Sequence, residues 1–190
     1  GSSSVVGSGG RLTTSAVLNR DDVEWLQKLG EGSYGIVYRA KWRGMIVACK
    51  EIRTDGGSEA VEQLVVEVQR LQQLPPHRHV VPFYGILEPL ANKNLTLVLG
   101  YCARGSLSDA IYGGYGDNAT APIDFTEQQQ RAIVVGVARG LSHLHAEGVI
   151  HRDVAARNVL LDGVADSSVI VAKMSDFGMS RQAGGGGGGG

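Results

Sequence analysis

The spacing of apolar positions divides the chain into strand-like and helix-like stretches. From Val23 to Ala48 apolar and polar residues alternate, the period of a strand with one buried face. Arg43-Gly44 interrupts the alternation and predicts a turn, so this stretch reads as a short meander. Glu59 to Leu74 changes to helical spacing, with Val61, Leu64, Val65, Val68 and Leu71 recurring on one face, and Pro75-Pro76 ends it. Phe83 to Leu87 and Leu95 to Leu99 read as two more strands, separated by Asn92-Lys93-Asn94. Thr126 opens a long helix. With Gln129 it forms a T-x-x-Q capping box, and Ile133, Val137, Leu141 and Leu144 line one face. Short strands follow, and no internal repeat is present.

The ends are different in kind. The first twenty residues are rich in Ser, Gly and Thr and read as a flexible lead-in. Gly184 to Gly190 are glycine alone, which maximises the entropy cost of ordering and offers nothing to bury. Structured sequence is therefore expected from about Val23 to about Arg181.

Composition narrows the function classes. Of 190 residues, 43% are apolar and 19% charged, which suits a globular chain rather than a disordered one. Eighteen basic residues face nineteen acidic ones, so net charge points to no nucleic-acid partner. The two cysteines, Cys49 and Cys102, form no CxxC or Cys/His cluster; a reduced, cytoplasmic setting is expected. No apolar run reaches the roughly 18 residues of a membrane span, and GSSSVVGSGGR lacks the apolar centre of a signal peptide.

Candidate chemistry begins at Gly30-Glu31-Gly32-Ser33-Tyr34-Gly35-Ile36-Val37. Three glycines let a backbone approach phosphates and turn N–H groups toward them. A dinucleotide-binding turn would need these glycines to open a helix after a strand. The following IVYRAKWRGMIVACKEI is strand, turn, strand, which favours a glycine flap over that turn. A bare glycine hairpin is the plainer alternative. One hairpin later comes Val47-Ala48-Cys49-Lys50, where Ala48 and Lys50 share a strand face. The small residue leaves room for a flat ring, and the lysine can reach phosphate oxygens. Glu67 sits among Val65, Val66 and Val68 in the first helix, with Glu62 as the second candidate for the same role.

Further on stand His151-Arg152-Asp153-Val154-Ala155-Ala156-Arg157-Asn158, then Asp176-Phe177-Gly178. With the glycine loop, Lys50 and Glu67, these five ordered motifs resemble the protein kinase family, from about Val23 to Arg181. The resemblance implies an α+β bilobal protein-kinase fold. It would comprise a complete small lobe, an antiparallel sheet plus one helix, and an incomplete, mostly helical large lobe. It implies a lead-in at 1–20, the small lobe at 21–100, connector and partial large lobe at 101–182, and a glycine tail at 183–190. It implies ATP and Mg²⁺, with a protein as the phosphate acceptor.

Residue by residue, Asp153 would accept the proton of the attacking hydroxyl, and Asn158 and Asp176 would offer Mg²⁺ hard oxygens. Lys50 would neutralise phosphate charge, oriented by Glu67. The nucleotide would lie against Leu29, Gly30, Glu31, Gly32, Ser33, Tyr34, Gly35, Ile36 and Val37, with Val37, Ala48 and Leu160 sandwiching the adenine. Leu95 to Leu107 resembles the connector, where Leu99 would limit pocket depth and backbone groups near Tyr101 and Cys102 would meet the adenine edge. Gly100 stands where many kinases have an acidic residue, a departure expected to matter little. Phe177, His151 and Leu71 match the family's stacked apolar column. Ala155-Ala156-Arg157 resembles the tyrosine-kinase loop, with Arg157 helping to hold the substrate hydroxyl or Asp153. A serine/threonine-directed, tyrosine-kinase-like enzyme is the alternative, as is a non-catalytic nucleotide-binding or interaction module.

Two departures from the family pattern stand out. Asp153 and Asp176 are 23 residues apart, a few more than usual, with the excess in the polar Asp162 to Ser168 turn. After Met179-Ser180-Arg181-Gln182 only Ala183 and glycines follow. The helix opened by Thr126 is therefore expected to lose cover on its Ile133, Val137, Leu141 and Leu144 face, leaving the chain poorly active and marginally stable.

Overall fold

The computed structural model describes residues 17–32, 35–52, 68, 71–87, 95–114, 120–163 and 169–176. The chain divides into two compact units, Gly1–Pro75 with Pro82–Tyr101, and Pro76–Val81 with Cys102–Gly190.

In the first unit six strands form one sheet: β1 (Val17–Leu18), β2 (Val23–Gly32), β3 (Gly35–Trp42), β4 (Met45–Ile52), β5 (Phe83–Leu87) and β6 (Leu95–Gly100). Their order is β1-β5-β6-β4-β3-β2, antiparallel throughout except for the parallel β1–β5 pair. The expected meander is β2 to β4. Its second turn is Arg43-Gly44, with φ of 48° and 84°, so both residues are left-handed, as a two-residue hairpin following the strand twist requires. Alternation sorts β4 into two faces. Val47 and Cys49 join Val23, Ala40, Leu87 and Val98 in a buried cluster, overlaid by Leu18, Trp25, Tyr38, Trp42 and Tyr84. Ala48 and Lys50 lie on the other face.

Strand β1 falls inside the stretch expected to be a flexible lead-in. Val17 and Leu18 take the free edge of β5, pairing with Ile86 and Leu87, and Leu18 packs on the buried cluster. Asn19 then caps a short 3-10 turn, Arg20–Asp22, accepting a hydrogen bond from the Asp21 N–H at 2.9 Å. Of the helix expected over Glu59 to Leu74, Val68 and residues 71–73 are helical and Leu74 is a bend; residues 59–67, 69 and 70, Glu67 and Glu62 included, lie outside the described residues.

The second unit holds a short helix, α1 (Leu107–Tyr112), the long helix α2 (Glu127–Ala146) and a hairpin of β7 (Val159–Asp162) and β8 (Val171–Met174). The α2 capping box forms as read. The Gln129 N–H donates to Thr126 Oγ1 at 3.3 Å and the Thr126 N–H to Gln129 Oε1 at 3.0 Å. Such a cap stabilises a helix by about 1 kcal/mol.

The α2 face expected to have lost part of its cover is fully covered at two of its four positions. Ile133 and Leu144 are buried, and Val137 and Leu141 half-buried. Gly136 and Gly140 fall on the same stripe and let β8 come close: a Cβ on Gly136 would stand 3.3 Å from the Ala172 Cβ, and one on Gly140 2.9 Å from the Met174 Cγ. The exposed large apolar residues of this helix are Val134, in line with Leu141 two turns on, and Val135.

Pro76–Val81 lies inside the stretch expected to form the first lobe but belongs to the second unit. Its backbone bonds to β8: Met174 N–H donates to the His79 carbonyl and Val81 N–H to the Met174 carbonyl, both at 2.9 Å.

Candidate active site

In the first unit the candidate residues lie on one face of the sheet. Gly30, Val37, Lys50, Leu97 and Ile86 stand in register across five strands, and Arg39, Ala48, Leu99 and Phe83 form the next row on that face. Val37 and Ala48 are half-buried, so a flat ring could lie against them, and Leu99 is half-buried beside Ala48. Lys50 is 7% exposed, well inside for a side chain that is almost never buried without a partner. Its expected partner Glu67 lies outside the described residues.

The glycines of the loop do different jobs. A Cβ on Gly35 would stand 1.8 Å from the Glu51 carbonyl oxygen, and its φ of 137° favours glycine, so Gly35 is demanded by the sheet itself. Gly30 has nothing within 4 Å of such a Cβ, which leaves its surroundings open to a ligand. Leu29 and Ile36 are half-buried, and the exposed Glu31 is paired with Lys28 at 2.7 Å. Ser33 and Tyr34 lie outside the described residues.

At the end of this unit, Gly100 is held by close packing on Pro82. Its N–H donates to the Pro82 carbonyl at 2.9 Å, and a Cβ there would stand 2.6 Å from the Pro82 ring. An acidic side chain at this position would have to displace the proline. Tyr101 carries the Arg39 guanidinium over its ring at 5.4 Å, a cation–π contact that sequence reading missed because the two residues are far apart in the chain.

In the second unit the candidate residues form a tightly bonded loop. Asp153 is the centre. Arg157 Nη2 donates to its Oδ1 at 2.6 Å, and Asn158 Nδ2 donates to its Oδ2 and to its carbonyl oxygen, both at 2.8 Å. The Asn158 and Arg157 hydrogen bonds, in that order, hold the Asp153 carboxyl below its ordinary range. Because both amide hydrogens of Asn158 are committed, its Oδ1 is the end left as an acceptor.

His151, 1% exposed, holds this loop to Ser175, the residue just past β8. The Asp153 N–H donates to His151 Nδ1 at 3.3 Å, so that nitrogen is the bare one, and Nε2–H donates to the Ser175 carbonyl at 2.9 Å. Ser175 returns two bonds to the Asn158 carbonyl, N–H at 2.9 Å and Oγ–H at 3.1 Å. Sequence reading passed over Ser175, though its place directly before Asp176 was a signal. Arg152 and Asp176 hold φ of 65° and 56°, the left-handed region unusual for side-chain-bearing residues. Strained positions of this kind cluster at functional sites.

These bonds bring Asn158 and the residue before Asp176 together. Leu160 is half-buried on β7. That strand is tied to the connector by Leu161 N–H to the Gly105 carbonyl at 2.8 Å and Arg104 N–H to the Leu161 carbonyl at 3.1 Å. Lys173 pairs with Asp162 at 2.7 Å across the hairpin. Of the expected apolar column, His151 is buried, Leu71 half-buried, and Phe177 outside the described residues. Burial pushes the thiols of Cys49 and Cys102 up to about 11, so neither is a nucleophile near neutral pH.

The family model of the protein kinase domain matches residues 23–187. A probable receptor-like protein kinase of Arabidopsis thaliana is 37% identical to this chain over 158 residues. That alignment covers 81% of this chain and 18% of the relative, so the chain spans less than a fifth of the relative's length.

Proposed function

Because the chain belongs to the protein kinase family, we propose that the protein transfers the γ-phosphate of ATP to a hydroxyl of a protein substrate, with tyrosine the favoured acceptor. The observation that carries this reading is the bonding around Asp153. A carboxylate fixed by Arg157 and Asn158 and kept ionised is suited to accept a proton from an attacking hydroxyl. Asn158 Oδ1 and the Asp176 carboxylate would hold Mg²⁺, which when bound neutralises charge on the phosphates. Lys50 would reach the phosphates from β4 and Glu67 would orient it. Val37, Ala48 and Leu160 would enclose the adenine.

The preference for tyrosine rests on Ala155-Ala156-Arg157. The two alanines bring no charge beside Asp153, and the cation that does reach it comes from Arg157, four residues on. The competing acceptors are serine and threonine. The cytoplasm, where ATP is supplied, is the setting we propose for this domain, and the relative's receptor-like name and greater length support a larger protein around it. Among the described residues no helix is long and apolar enough to cross a membrane. The test is transfer of labelled phosphate from Mg–ATP to matched peptides differing only in Tyr, Ser or Thr. A faster rate on the tyrosine peptide supports the reading. A serine or threonine preference removes the acceptor assignment but keeps the kinase. No transfer to any peptide favours the binding-module reading.

A further inference from the structure

Three histidines lie together in the second unit, away from the loop just described. The His77 ring stacks on the His143 ring of α2, with centroids 4.5 Å apart and planes 11° from parallel. His79 is the third, its ring centroid 5.7 Å from that of His77. We propose that these residues form a pH-sensitive latch that positions β8, the strand that ends two residues before Asp176, closed while His77 is neutral and opened when His77 takes a proton. The functional meaning rests on the kinase reading above.

His79 is the bolt of this latch. Its Nδ1–H donates to the Ala172 carbonyl at 2.9 Å, and its own carbonyl accepts the Met174 N–H at 2.9 Å. One residue thus grips β8 at two points just ahead of Ser175-Asp176. Helix α2 makes room for it, since a Cβ on Gly136 would stand 2.9 Å from His79 Nδ1 and one on Gly140 2.4 Å from its carbonyl oxygen.

His77 controls the bolt. The His79 backbone N–H donates to His77 Nδ1 at 3.2 Å, so Nδ1 must be bare. Protonation places a hydrogen on that nitrogen, and the His79 N–H loses its acceptor. His79 itself is insensitive in this respect, because its Nδ1 is the donor in either protonation state. The charged and titratable groups acting on His77 are His143 and Arg139 from α2 and His79 from its own segment, all bases. Partial burial first, and then these bases, hold His77 below its ordinary value of 6.5. For a histidine shifted down, the closed state is fully favoured above the ordinary value and is lost as pH falls through the shifted one.

The experiment follows the His77 ring and the His79 and Met174 amides of the 190-residue chain by NMR from pH 8 to pH 5. The latch predicts one shared midpoint below 6.5. His77→Phe keeps an aromatic ring and removes the amide transition. His143→Phe keeps the stack, removes one base, and moves the His77 midpoint upward. A flat Met174 amide, a His77 midpoint at or above 6.5, a transition that persists in His77→Phe, or an unmoved midpoint in His143→Phe would overturn the proposal. Phosphate transfer is read alongside, where the latch predicts at least about a threefold steeper fall toward pH 5.5 in the wild type than in His77→Phe. Equal falls overturn the link to Asp176. Absence of transfer at every pH counts against the kinase reading, while the amide titration still decides the latch.

Discussion

Asn158 gives both of its amide hydrogens to Asp153, one to the main-chain carbonyl and one to the carboxylate, each at 2.8 Å. The donor that steadies the proposed base is therefore the same side chain whose oxygen is proposed to hold the metal. One rotamer serves both ends.

Asn158→Asp should be more damaging than Asn158→Ala in the absence of divalent ions. Alanine loses two hydrogen bonds, about 1–3 kcal/mol together. Aspartate loses them and sets a second carboxylate against Asp153. Like charges raise each other's pKa, so the extra destabilisation is present at pH 7 and fades as pH falls through the carboxylate range. Thermal melts of both variants between pH 7 and pH 4 check this; a constant gap across that range contradicts it.

The loop glycines should separate by function. Gly35→Ala must displace the Glu51 carbonyl from 1.8 Å and adopt an unfavourable φ, a cost of about 1–3 kcal/mol in stability. Gly30→Ala meets nothing within 4 Å, so its melt should stay within about 0.5 kcal/mol of wild type while Mg–ATP affinity falls. Melting and nucleotide titration of both variants give the comparison, and a Gly30→Ala protein that binds nucleotide normally removes that glycine from the site.

Lys173→Met should show a pH-dependent loss of stability. Burial pushes the Asp162 carboxyl up, but the hydrogen bonds from Lys173 and Gly163 and the Lys173 charge outweigh it and leave it below its ordinary range. A carboxylate shifted down stabilises the fold above its unfolded pKa, near 3.9, and that contribution is lost as pH falls through the lower folded value. The pair is partly exposed, so the loss at pH 7 is about 1 kcal/mol or less. It should vanish at strongly acid pH. A deficit that is equal at every pH would assign the effect to packing.

Much of the frame was legible because its signals are local. The Thr126–Gln129 box, the Arg43-Gly44 turn and the strands at Phe83 and Leu95 each carry their cue within a few residues. Asp153 and Asn158, five residues apart, were singled out by the family resemblance, and the structure joins them by hydrogen bonds. What sequence reading missed depends on partners distant in the chain. Val17-Leu18 is a strand only because the β5 edge is available. The cover that β8 gives the α2 stripe was not foreseen, because its close approach at Gly136 and Gly140 leaves no periodic mark. The histidine cluster joins residues 77, 79 and 143, and Gly100 takes its meaning from Pro82.

The most direct measurement is single-turnover transfer of γ-phosphate from Mg–ATP to a hydroxyl peptide, comparing wild type with Asp153→Asn, alongside nucleotide affinity for each. If Asp153 accepts the substrate proton, transfer falls by about 10²–10⁴-fold while nucleotide affinity changes little, because the carboxylate acts on the acceptor. Transfer at the wild-type rate in Asp153→Asn would contradict the assignment of the base and, with it, the proposed mechanism.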